Sequence, residues 1–264
     1  DYEYFLKRSM AYKNLFDEST MLMRGRDPKA NWRTPFNSHE YVQGGDFTEG
    51  TSWQYTWYVP QDISGLIGLY GGNKGFLQKL DSLFTFTDNS SANMDDVQGR
   101  LGEYWHGNEP SHHIIYLYDF ASQPWKAQEL VHKVMKTQYG NKPNSLSGND
   151  DCGQMSAWYL FNAMGFYPVC PGSNYYAFGS PALKKVVISL TGNKSFSISA
   201  ENLTEQNIYI QKVTLNGKAW NSPYFSYDEL KSGGELIFTM GPKPNKKWGT
   251  QVNLTELNAL NGQK

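Results

Sequence analysis

Apolar residues recur at helical spacing through the first two thirds of the chain and at every second position after residue 172. That change of period predicts helices first and strands afterwards. Tyr2, Phe5, Leu6, Met10, Tyr12 and Phe16 predict a helix over 2–16 lining a core. Asp62 reads as the cap of a helix through Ile63, Leu66, Ile67, Leu69 and Tyr70, closed by Gly71-Gly72. Asn73 reads as the cap of the next, GFLQKLDSLFTF, and Pro124 and Gly140 bracket the amphipathic PWKAQELVHKVMKTQYG. Met155, Trp158, Tyr159, Phe161, Ala163 and Phe166 predict one more short helix. Beyond Pro171-Gly172 the segments KKVVISL, SFSISAEN, IYIQKVTLNGKAW and YFSYDELKSGGELIFTM alternate apolar and polar residues. Turn signals separate them, and Asn216-Gly217 suits a two-residue hairpin. The expectation is an α+β multidomain chain: helical hairpins over 1–172, then an antiparallel β domain over 173–264, most simply a sandwich.

The unusual residues sit in the connections between helices. The stretch 21–41 is punctuated by Gly25, Pro28 and Pro35, and its Trp32, Phe36 and Tyr41 predict an ordered loop. In GGDFTEGTSWQYTWYVPQD, glycines flank Asp46 and Glu49 ahead of Trp53, Tyr55, Trp57 and Tyr58. A Glu against aromatic rings is kept neutral by desolvation and suits a general acid; the plainer reading is an exposed loop Glu. The acidic run 87–96 reads as a solvated loop without the spacing of a calcium-binding hand.

In GRLGEYWHGNEPSHHIIYLYD, Pro110 places Asn108 and Glu109 at the mouth of a helical turn, where their oxygens suit Ca²⁺. His112 and His113 are adjacent and point to different sides, so a paired-His zinc site is disfavoured. The central stretch GNDDCGQMSAWYLFNAMGFYPVCPG sets Asp150 and Asp151 before a helix, whose N-terminal dipole favours the charged carboxylate. Those residues are either simple caps or a general base or sugar ligand.

A formal net charge of −1 disfavours a polyanion partner. The 15% aromatic content suits either sugar-stacking faces or a tyrosine-rich sheet surface. Cys152 and Cys170 form one disulfide or remain two thiols, with a helix holding them apart. No apolar run reaches membrane-spanning length, no signal-peptide pattern opens the chain, and the start reads as mid-domain, as in a fragment.

DFTEGTSWQYTW, EYWHGNEPSHHIIYLYD and GNDDCGQMSAWYLFNAMGFYPVCPG, in this order, resemble the C-terminal half of glycoside hydrolase family 92, the calcium-dependent exo-α-mannosidases. GELIFTMGPKPNKKWG is similar to that family's C-terminal end. The resemblance implies part of an (α/α)₆ toroid over 1–172 and inverting cleavage of α-mannosides, with α-1,2 linkages favoured. It implies Glu49 as acid and Asp151 as base, supported by Asp150 and Asn149, and Ca²⁺ at Asn108 and Glu109. It also implies substrate contacts from Trp53, Trp105, His106, His112 and Gln154. Glu109 as the acid, with Glu49 supporting, stays open. The implied partners are mannose-containing glycans, neither nucleic acid nor membrane, with an N-terminal remainder of a longer chain completing the site. The implied location is periplasmic, outer-surface or secreted. Two alternatives compete: a non-catalytic carbohydrate-binding module, and a helical-toroid glycosidase for another sugar.

Overall fold

The computed structural model describes residues 1–41, 45–86 and 98–254, so the acidic run 87–96 lies outside the described residues. The chain forms two compact units, residues 1–114 with 147–149, and residues 115–146 with 150–264.

In the first unit, α1 (Tyr2–Ser9) is shorter than expected and lines no core: Tyr2, Tyr4 and Phe5 are all exposed. A tight 3-10 turn over Ala11–Leu15 breaks the helical register, and Phe16 enters the core only from strand β1 (Phe16–Asp17), paired with β2 (Leu22–Met23). The following loop is ordered, as expected, around two arginines. Arg24 lies 4.7 Å from the Phe36 ring and donates to Asp17 and to the Arg33 carbonyl, while Arg26 covers Trp32 at 3.4 Å.

Three helices follow, α2 (Ser52–Tyr55), α3 (Ile63–Leu69) and α4 (Asn73–Thr85), then a small hairpin of β3 (Arg100–Leu101) and β4 (Tyr104–Trp105). Asp62 caps α3 as expected, its Oδ1 accepting from Gly65 N at 2.9 Å. Gly72 rather than Asn73 occupies the cap of α4, since its φ of 107° is open to glycine. Trp57 anchors this core, stacked on Tyr70 and edge-on to Phe76.

The second unit opens with α5 (Leu117–Phe120), α6 (Pro124–Thr137) and α7 (Gln154–Met164). The strands β5 (Phe166–Tyr167), β6 (Tyr175–Phe178), β7 (Lys185–Leu190), β8 (Lys194–Glu201), β9 (Tyr209–Leu215), β10 (Lys218–Trp220) and β11 (Tyr224–Ser226) come next, then α8 (Tyr227–Ser232) and β12 (Gly234–Gly241). They form a five-stranded sheet ordered β10-β9-β12-β8-β7 and a three-stranded sheet ordered β11-β6-β5. Alternation sends Phe196, Ile198, Leu236, Phe238 and Met240 inward, where they share one core with Phe166, Phe178 and Phe225. The expected hairpin is present: Asn216 and Gly217 both have positive φ and pair Leu215 with Lys218.

Two expectations for this unit need correction. The five-stranded sheet is mixed, because β12 pairs with β8 in parallel from Gly234↔Phe196 to Thr239↔Glu201. The long segment between those strands provides the crossover that parallel pairing requires. YDELKS, read as strand, is helix α8: Ser226 and Glu229 form a capping box that stops β11 and starts a helical turn. The compact units also divide elsewhere than at 172/173, since helices bond to the β segments within the second unit. Gln128 in α6 accepts from Ile210 N at 2.9 Å, and the Ala163 carbonyl at the end of α7 accepts from Ala182 and Leu183.

Candidate active site

Glu49 precedes α2, which has a firm start. Thr51 caps it, Gln54 closes the reciprocal box, and Ser52 Oγ bonds back to the Met23 carbonyl. The Glu49 side chain is exposed rather than held against aromatic rings. Its backbone is fixed at both ends: N–H donates to the Tyr55 hydroxyl at 3.1 Å, and C=O accepts from Asn108 Nδ2 at 2.5 Å. The bond from Asn108 joins loops 59 residues apart in sequence, whereas Tyr55 lies only six residues beyond Glu49.

The second motif is built on a turn. Pro110 opens a 3-10 turn over Glu109–Ser111, with Asn108 at its cap. Asn108 is buried and Glu109 partly exposed. With the Asn108 nitrogen engaged on Glu49, its Oδ1 is the atom left to face a cation. The two histidines that follow diverge as expected: His112 Nε2 meets the His106 carbonyl and His113 Nε2 the Trp57 carbonyl. Burial lowers the His113 pKa to about 4, against partial opposition from its backbone bonds. Burial, followed by the neighbouring His112, pushes His106 well below its ordinary value. Trp53, Trp105, His106 and His112 were expected to touch sugar; the structure buries all four. Trp53 keeps the most surface of the four, at 7%.

Gly148 joins the third motif to the second. Its φ is +71°, and a Cβ there would stand 3.0 Å from the Gly107 carbonyl oxygen. Gln98 ties both glycines, its carbonyl accepting from Gly107 N and its Oε1 from Gly148 N. All three motifs therefore meet, within the first unit, at Gly107-Asn108.

In the second unit the two aspartates have different surroundings. The cap position of α7 is Gly153 rather than Asn149, Asp150 or Asp151, but Asp150 Oδ1 reaches the first turn, accepting from Ser156 N at 3.0 Å and Ser156 Oγ at 2.8 Å. Asp151 has a left-handed backbone (φ 46°), and its exposed carboxylate has no hydrogen-bond partner among the described residues. Gln154 Nε2 donates to the Tyr167 hydroxyl at 3.2 Å. Cys152 and Cys170 are free thiols, so no bridge closes this stretch.

Among the described residues no three His, Cys, Asp or Glu side chains converge on a point where a metal could sit. Asn108 and Glu109 offer two hard oxygen donors, which suit Ca²⁺ and leave the rest of its shell to carbonyls, water or hydroxyls. Sequence reading missed Glu103 and His39. Glu103 is 1% exposed, with Arg100 Nη2 at 3.1 Å and His39 Nδ1 at 3.7 Å from its Oε1. The signal available for Glu103 was a lone Glu between Gly102 and the aromatic pair Tyr104-Trp105, at the turn of a short hairpin.

Comparison with known proteins gives a consistent result. The family described as the glycosyl hydrolase family 92 catalytic domain matches residues 1–242. The family GH92 alpha-mannosidase BT3965 from Bacteroides thetaiotaomicron is 45% identical, with a TM-score of 0.86 over 94% of this chain and 32% of that one. The family GH92 inverting mannosidase BT2199 from the same organism is 40% identical, with a TM-score of 0.83 over 94% of this chain and 35% of that one. An uncharacterized secreted glycosidase from Arthroderma benhamiae is 31% identical over 82% of this chain and 26% of its own length. The chain thus spans about a third or less of these relatives.

Proposed function

Because the chain belongs to glycosyl hydrolase family 92, we propose that it is the C-terminal part of an exo-acting α-mannosidase that removes terminal α-mannose from N-glycans or mannan. The observation that carries this reading is the meeting of the three motifs at Gly107-Asn108, where Asn108 holds the backbone of Glu49 and Gly107 packs on Gly148. The mannosidase relatives at 40% and 45% identity support the sugar. The inverting relative supports the stereochemistry.

In this reading Glu49 protonates the glycosidic oxygen as the leaving sugar departs. Asp151 takes a proton from the water that attacks the opposite face. Inversion needs the two carboxyl groups about 6.5–9.5 Å apart to admit that water. The exposure of both carboxylates suits groups that must reach a ligand. Asp150, held by Ser156, keeps the start of α7 in place behind Asp151. Asn108 and Glu109 would hold calcium, which would supply Lewis-acid charge for the hydroxyls of the terminal mannose. The helices belong to an (α/α)₆ toroid that an N-terminal remainder of a longer chain completes, and the β domain is a sandwich. Linkage to the 2-hydroxyl is the first to test. Export to the periplasm, outer surface or medium is part of the same reading, supported by the secreted relative.

The test is a leaving-group comparison on the full-length natural chain. Glu49→Gln should lose about 10²–10⁴-fold on α-1,2-mannobiose, whose leaving group needs a proton. It should retain most activity on dinitrophenyl α-mannoside, whose leaving group does not. Equal losses on both substrates would take the acid role away from Glu49.

A further inference from the structure

We infer that Glu103 and His39 form a positioning pair behind α2, the helix that fixes Glu49. Glu103 reaches α2 by two routes. Through its backbone, the carbonyl accepts from Gln54 Nε2 at 2.6 Å, and Gln54 Oε1 accepts from both the N–H and the hydroxyl of Thr51. Through its side chain, the buried carboxylate lies 3.7 Å from His39 Nδ1. The opposite nitrogen of that ring, Nε2, accepts the indole N–H of Trp53 at 3.1 Å.

A neutral imidazole that accepts at Nε2 carries its proton at Nδ1, the nitrogen turned to the carboxylate. The Glu103 carboxylate, 3.7 Å from Nδ1 and beyond hydrogen-bond distance, favours through its charge the His39 tautomer that can accept from Trp53. His39 also stacks on Trp53 and Phe86, with ring centroids 5.6 and 4.8 Å apart. Charged groups among the described residues here include Arg100, on the Glu103 carboxylate, and Lys79, whose Nζ lies 4.2 Å from the Trp53 ring centroid. Both arms end on α2, at Gln54 and at Trp53. That helix presents the Tyr55 hydroxyl that accepts the Glu49 N–H. Rotating α2 therefore moves the backbone of Glu49. The consequence for catalysis rests on the reading of Glu49 as the acid; the link from Glu103 through His39 to Trp53 does not.

The experiment has two arms on the full-length natural chain. In the first, the His39 ring nitrogens and the Trp53 indole ¹H–¹⁵N resonance, identified by its loss in Trp53→Phe, are recorded at one fixed pH. The His39 proton should be found on Nδ1, leaving Nε2 to accept from the indole. Glu103→Leu removes the carboxylate facing Nδ1 and should shift both the ring-nitrogen pattern and the indole resonance. A proton found on Nε2, or an indole resonance unmoved by Glu103→Leu, overturns the pair.

In the second arm, His39→Ala should lower kcat about tenfold while KM stays within about twofold, the pattern of a displaced reacting group. His39→Gln, whose amide can accept from Trp53 and donate to Glu103, should restore kcat to within about threefold. A His39→Ala loss confined to KM, or no recovery in His39→Gln, overturns the positioning role. The indole arm reads the pair whether or not a mannoside is cleaved, so its failure is distinguishable from failure of the acid assignment.

Discussion

His113 is a residue whose environment dictates its charge. It has almost no exposed surface and uses Nε2 on the Trp57 carbonyl, so burial holds it neutral and lowers its pKa to about 4 from 6.5. The folded value lies below the unfolded one. On acidification the unfolded chain therefore takes the proton first, and the stabilising contribution is lost as pH falls from about 6.5 towards 4. The full effect is on the order of 3 kcal/mol at most. His113→Gln should flatten the fall in the urea midpoint between pH 7.5 and 5; a variant that loses stability with the wild-type slope would contradict this. Asp119 works in the opposite sense, because burial raises its pKa and rising pH is what costs stability. At this scale the sequence exposed what local chemistry controls. Glycines around Glu49 and the proline after Glu109 mark loops that present carboxylates. That Gly153 takes the cap of α7, while Asp150 and not Asp151 reaches its first turn, depends on a backbone turn that only the structure reveals. The burial of Glu103 and His39 is set by partners distant along the chain.

Among the elements, those with a strong period and a cap were legible: α3 with Asp62, α6 with Pro124, and the hairpin at Asn216-Gly217. Helix α8 was missed although Ser226 and Glu229 spell a capping box, because six residues are too few to display a helical period. Ser226→Ala should cost about 1 kcal/mol in urea unfolding. It also frees a turn at the end of β11, so the loss should appear first as faster amide exchange at Phe225 and Leu230. Unchanged exchange there would mean that the box does not hold the element. The parallel pairing of β8 with β12 was illegible for another reason: alternation fixes which face a residue takes, not the direction of the neighbouring strand. Helix α1 shows the converse, an apolar period whose residues Tyr2, Tyr4 and Phe5 remain exposed.

For the molecule as a whole, three motifs spread between residues 46 and 172 were recognisable as strings, and the fold explains why they belong together. Gly107 accepts the close approach of Gly148, and Asn108 holds Glu49, so a loop from each stretch is anchored at one place in the first unit. The chain matches 32% of one solved mannosidase and 35% of another, and activity is accordingly a property to be measured on the full-length natural chain. No helix among the described residues is long and apolar enough to cross a membrane. The most direct measurement is mannose release from α-mannobiose by that chain before chelation, after chelation, and after calcium is returned. The account predicts release that chelation abolishes and calcium restores, with α-mannose the residue removed. Mannose that binds and is never released, with or without calcium, would contradict it.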